Sequence, residues 1–124
     1  MIFDTLDYLE AYKPVVNHMQ TIIDILDRSL PYEEDVGRHV SSEDKDLVYI
    51  IDSHLSSSKG FEAELNEGKD VMEIVLEGEE IVSVSGSVVR LSPGRFLIYS
   101  GDEKARRGIA ESLPVAFKAV RFLI

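Results

Sequence analysis

The spacing of apolar residues changes once along this chain, at Pro31, and the change limits the folds open to it. Before it, Val15, Met19, Ile22, Leu26 and Leu30 recur three or four residues apart, and Val16 and Ile23 widen the stripe. That period predicts an amphipathic helix from Pro14 to Leu30. Pro14 suits a first helical turn, and Leu30 is turned away from helical geometry by the proline after it. A shorter helix is expected over 4–12, with Leu6 and Leu9 facing inward. After Pro31 the apolar residues fall into short runs at 47–55, 71–76, 81–84, 88–91, 96–99 and 115–124, with one more short strand at 38–41. Turn-forming segments separate them: Glu43-Asp44-Lys45-Asp46, Ser56-Ser57-Ser58-Lys59-Gly60, Glu77-Gly78-Glu79-Glu80, Ser85-Gly86-Ser87 and Ser92-Pro93-Gly94-Arg95. Many short strands at regular spacing form a sandwich or a barrel. The class expected is therefore all-β with N-terminal helices. The 124 residues, 44% of them apolar, suit one domain with one core, residues 1–31 packing on it as a helical segment.

Charge narrows the partners. Lys and Arg total 13 against 23 Asp and Glu, a formal charge of −10. Nucleic acid and anionic membranes both need a basic face, so neither is expected. Cations and neutral small molecules remain open. Arg106-Arg107 is the lone basic doublet and is expected in a loop. With no cysteine, disulfides and thiolate metal sites are excluded. The start, MIFDTLDYLEAYK, is acidic and lacks the apolar run of a signal peptide, and no stretch reaches membrane-spanning length, so a cytoplasmic protein is expected.

Several ordered segments carry a resemblance. Met1-Ile2-Phe3-Asp4-Thr5-Leu6 is similar to the start of bacterial YhcH/YjgK/YiaL-type proteins. Gly37-Arg38-His39-Val40 resembles their "GRH(E)I", and Lys59-Gly60-Phe61-Glu62-Ala63-Glu64 their "xxFEAH". Glu73-Ile74-Val75-Leu76-Glu77-Gly78-Glu79-Glu80 resembles "HYVLEGEE". Ser92-Pro93-Gly94-Arg95-Phe96-Leu97-Ile98-Tyr99 followed by Gly101-Asp102-Glu103-Lys104 resembles "xPGxFxIFF" and "PGDAH". That family includes a sialic-acid anomerase and the small subunit of an evolved β-galactosidase. The resemblance implies a double-stranded β-helix, a cupin-like jelly-roll barrel, with a sugar-handling pocket inside it and a metal held by Glu and His. It also implies homodimers. The chain departs from the pattern where the chemistry would lie. Glu64 and Lys104 stand at two histidine positions, Glu73 stands where members often have His or Gln, and the stretch between Glu80 and Val88 is shortened.

The candidate chemistry follows from these positions. Glu62 and Glu64 are two apart, so on a strand they point the same way. Glu73 lies among Val71, Met72, Ile74 and Val75, so it faces either the interior or solvent. If it faces inward it needs a partner, because an unpaired buried charge is very costly. The resemblance supplies Lys104, whose ammonium would replace the family's metal. An all-carboxylate site for Ca²⁺ or Mg²⁺ is the alternative, and a solvated acidic strand face is the bland one. Arg38 can bind a carboxylate bidentately, as an acidic sugar would require, or can pair with the Glu33-Glu34-Asp35 run. His39 and Asp102 are further ligand-binding candidates, and Asp52 and His54 share one face of a strand. Two functions follow. One is a sugar anomerase or isomerase in which Glu62, Glu73 and Lys104 act and Arg38, His39, Glu64 and Asp102 hold the ligand. The other is a non-catalytic module that binds a small molecule or a protein. Val120, Phe122 and Ile124 form a stripe that is either core or interface.

Overall fold

The structure, a computed structural model, describes residues 1–55, 61–62, 69–101, 105–109 and 116–124. In chain order the strands are β1 (Ile2–Thr5), β2 (Gly37–Val40), β3 (Val48–Leu55), β4 (Phe61–Glu62), β5 (Val71–Glu77), β6 (Glu80–Val84), β7 (Ser87–Leu91), β8 (Arg95–Tyr99), β9 (Ala105–Ile109) and β10 (Ala116–Leu123). A 3-10 helix (Leu6–Tyr12), α1 (Met19–Asp27) and α2 (Leu30–Glu33) lie between β1 and β2. The strands form two antiparallel sheets, one ordered β1-β8-β5-β10-β3-β2 and the other β4-β9-β6-β7. The all-β class with N-terminal helices is what the change of period predicts.

Two apolar layers follow from the alternation of side chains along each strand. On the outer face of the six-stranded sheet, Met19, Ile22 and Ile25 of α1 pack on Tyr49, Ile51, Met72, Ile74, Phe96, Val120 and Phe122. Between the two sheets, Val48, Val71, Val75, Leu97, Phe117, Ala119 and Leu123 meet Val82, Val84 and Leu91. β5 is covered on both faces, and all of Val71–Leu76 is buried. A strand covered on both sides reads as an almost unbroken apolar run, as this one does. Val120 and Phe122 belong to the helix-side core, with Ile124 packed against it, so among the described residues their stripe is core.

The chain departs from expectation at three places. The predicted helix over 4–12 begins as strand β1, because the Ile2–Thr5 backbone finds hydrogen-bonding partners along β8; only the 3-10 turns follow. The predicted helix over 14–30 is shorter. The N–H groups of Val15 and Val16 both bond to Tyr12 O, and His18 takes a left-handed φ of 63°, so α1 starts at Met19 and Val15 is 74% exposed. Ser29, also left-handed, ends the run, and Pro31 sits within α2 instead of terminating a helix. Arg106-Arg107 lies in strand β9 and not in a loop, since β9 has β4 on one side and β6 on the other. No helix among the described residues is long and apolar enough to cross a membrane.

Candidate functional site: the inward face of the six-stranded sheet

Alternation decides which side chains reach the space between the sheets. In β5, Met72, Ile74 and Leu76 join the helix-side core, while Val71 and Val75 join the inter-sheet core. Glu73 lies between the latter two and therefore faces inward, with no solvent exposure. In β10 the same rule sends Ala119 and Leu123 inward and, with them, Arg121. Glu73 and Arg121 are direct cross-strand partners, and side chains so placed have Cβ atoms roughly 5 Å apart. In β3, Val48 and Ile50 line the inter-sheet core; Asp52 continues their face. Arg121 Nη2 donates to Asp52 Oδ2 at 3.1 Å. The Arg121 side chain is 8% exposed and that of Asp52 38%, so this bonded pair reaches from the interior to solvent, with the sealed Glu73 in the neighbouring strand. Tyr99, opposite Val71, and Glu80, alternating with Val82 and Val84, are two further buried polar residues on inward faces.

The expected residues fall in different places. Arg38 lies opposite Ile50, which lies opposite Arg121, so it shares the row of Glu73 and Arg121. It is exposed on edge strand β2, two strand spacings or roughly 10 Å from Arg121. His39, its neighbour in the strand, must face the other way. Its Nδ1 is 3.1 Å from Glu34 Oε2, its Nε2 is 2.6 Å from Asp35 O, and its ring stacks on Tyr49 at 5.3 Å. The sheet thus separates His39 from Glu73 instead of joining them at one pocket. The Tyr49 hydroxyl donates to Glu34 Oε1. Burial, and then this hydrogen bond, pushes the Tyr49 phenol well above its ordinary range. Glu34 and Tyr49 line a cavity of about 130 Å³ on this outer face, with Arg28, Val40 and Ser41.

Glu62 is in β4, in register with Arg106. Glu64, Asp102 and Lys104 lie outside the described residues, and so does the expected pairing of Glu73 with Lys104. Asp52 is bonded to Arg121. His18 contacts Asp44, tying the start of α1 to the turn before β3. Arg121 is the residue that sequence reasoning missed. The signal was present: in Ala119-Val120-Arg121-Phe122-Leu123 a lone charge alternates with Ala119 and Leu123, on a strand whose two faces are both apolar.

A divalent cation, as the resemblance implies, would find oxygen donors at Asp52 and Glu73. Arg121 already stands on the same face, opposite one and bonded to the other.

No protein-family model matches the sequence, and no curated protein matches it at a significant level. Solved structures do. KdgF from Halomonas sp. is 19% identical, with a TM-score of 0.55 over 74% of this chain and 87% of that one. A cupin superfamily protein from Desulfitobacterium hafniense is 14% identical, with a TM-score of 0.53 over 73% and 78%. The EutQ protein of Clostridium difficile is 16% identical, with a TM-score of 0.52 over 69% and 63%. The chain thus spans a little under two thirds of the length of that EutQ protein. At such identities the likeness concerns fold alone, and the fold is the cupin-like jelly roll, or double-stranded β-helix.

Proposed function

We propose that the chain binds, and as an enzyme processes, a small molecule in the space between its two sheets. The observation that carries this reading is the inward Glu73–Arg121–Asp52 group, whose outer carboxylate is open to solvent. Apolar surroundings with a few fixed polar groups are the usual make-up of a small-molecule site. The resemblance to YhcH/YjgK/YiaL-type proteins supports a sugar or acidic sugar as the ligand and anomerase or isomerase chemistry as the activity. Mutarotation needs a proton taken from the anomeric hydroxyl and one given to the ring oxygen, with the reverse on closure. A positioned carboxylate can do either. Asp52, Glu73 and, in the motif, Glu62 and Lys104 are the groups to carry those protons. Arg38, at the outer end of the row, would meet an anionic sugar substituent.

NMR of anomer exchange with free sugars, sialic acids included, tests the reading. Faster exchange with the protein, reduced at least tenfold by Glu73→Gln in a folded variant, is expected. The substitutions at Glu64 and Lys104 favour a second reading, binding without turnover. Saturable chemical-shift changes without faster exchange would select it. Neither effect across the sugars tried would overturn the sugar assignment.

A further inference from the structure

Resting on that reading of the interior, we infer that Arg121 is the built-in cation of the barrel. It takes the place of a metal ion and positions Asp52 and Glu73 for a ligand that binds without a divalent cation. Four observations carry this. Arg121 lies in β10, which has β5 on one side and β3 on the other. It faces the fully buried Glu73 directly across the ladder and donates to Asp52 at 3.1 Å. Its side chain is almost sealed from solvent. Its inward neighbours along the strand, Ala119 and Leu123, belong to the apolar inter-sheet core.

Physical chemistry makes the assignment specific. A buried carboxylate needs compensating charge nearby, and a guanidinium supplies it with a rigid fork of donors that can serve two carboxylates at once. A divalent cation bridging the same carboxylates would lie within a few ångströms of the guanidinium. Repulsion between like charges at that distance is severe away from water. Guanidinium and metal are therefore alternative occupants. Arg121 acts through Asp52, which it bonds, and Glu73, which it faces across the ladder, and is a positioning residue.

The test is a titration of the full-length chain with Mn²⁺, a hard cation that favours oxygen ligands, followed by water-proton relaxation. The wild-type chain is expected to show no saturable binding tighter than about 1 mM. Arg121→Gln removes the cation beside Asp52 and Glu73 and is expected to bind one Mn²⁺ at least tenfold more tightly than wild type. Adding Asp52→Asn should abolish that gain. Stoichiometric Mn²⁺ on the wild-type chain overturns the inference, as does a folded Arg121→Gln variant that gains none. If Arg121→Gln fails to fold, the double variant Glu73→Gln/Arg121→Gln decides. Compensation requires it to fold where the single variant does not, and a double variant that also fails to fold overturns the inference. These readouts need no sugar, so they stand or fall independently of the anomer-exchange experiment.

Discussion

At the scale of single residues, Asp4 shows how local hydrogen bonds set a carboxyl's chemistry. The Tyr12 hydroxyl donates to its Oδ2 and the Thr5 N–H to its Oδ1, both at 2.7 Å. The Tyr12 bond first, and then the Thr5 bond, hold the Asp4 carboxyl below its ordinary value of 3.8; burial opposes them and Arg95 adds a weaker pull. A depressed carboxyl contributes stability that is present above the unfolded pKa and is lost as pH falls through the folded one. Tyr12→Phe removes the largest cause. The Asp4 carboxyl, followed by carbon NMR, is expected to titrate closer to its ordinary value in that variant. An unchanged midpoint would assign the shift elsewhere. Tyr12 also meets Phe96 edge-on at 5.6 Å, which fixes the ring whose hydroxyl makes this bond.

At the scale of elements, turns decide register. Ser85 and Gly86 both have positive φ, 49° and 86°, and Val84 pairs with Ser87, so β6 and β7 are joined by a two-residue turn. Such turns match the natural twist of the strands they join. Gly78, between β5 and β6, has a φ of 81°, and a Cβ there would come within 2.6 Å of Ala116 O. Gly78→Ala must both strain the backbone and push β10 away. A loss of roughly 1–3 kcal/mol is expected from the strain alone, measured by urea denaturation; a loss below about 0.5 kcal/mol would show that β10 yields freely.

These elements also show how far residues alone can be read. Strands β3, β5, β8 and β10 are visible because their apolar runs are bounded by turn residues. β1 and β9 are not, because their identity comes from neighbours: Ile2–Thr5 is a strand by virtue of β8, and Arg106-Arg107 by virtue of β4 and β6. Glu73 was identifiable as a charge facing either the interior or solvent, but its side and its cross-strand neighbour depended on the register of β5 against β10. That register includes an irregularity at Lys118/Ala119, which no spacing rule supplies.

At the scale of the whole molecule, the helical layer is fastened to the sheet by polar links as well as by apolar packing. His18 reaches Asp44, Lys118 Nζ donates to Tyr32 O at 2.9 Å, and Tyr49 and His39 share Glu34. Tyr49 is the most buried of these groups, and it stays a neutral donor well beyond the pH at which an ordinary phenol ionises. An unfolded tyrosine ionises near pH 10. The stability this group adds is therefore whole below about pH 10 and is lost as pH rises above it. Alkaline titration of phenolate absorbance should show a late step, coincident with unfolding, that is missing in Tyr49→Phe. A wild-type curve in which every tyrosine ionises near pH 10 while the fold persists would contradict this.

The burial of β5 and β10 on both faces has one further consequence. Along them, odd-numbered residues such as 71, 73, 75, 119, 121 and 123 meet the space between the sheets, and even-numbered ones such as 72, 74, 120 and 122 meet the helices. The two packing surfaces are thereby written in alternate letters of the same words. A lineage, or a combinatorial library, that varies only the odd letters can rewrite the surface between the sheets while the helical layer keeps its footing.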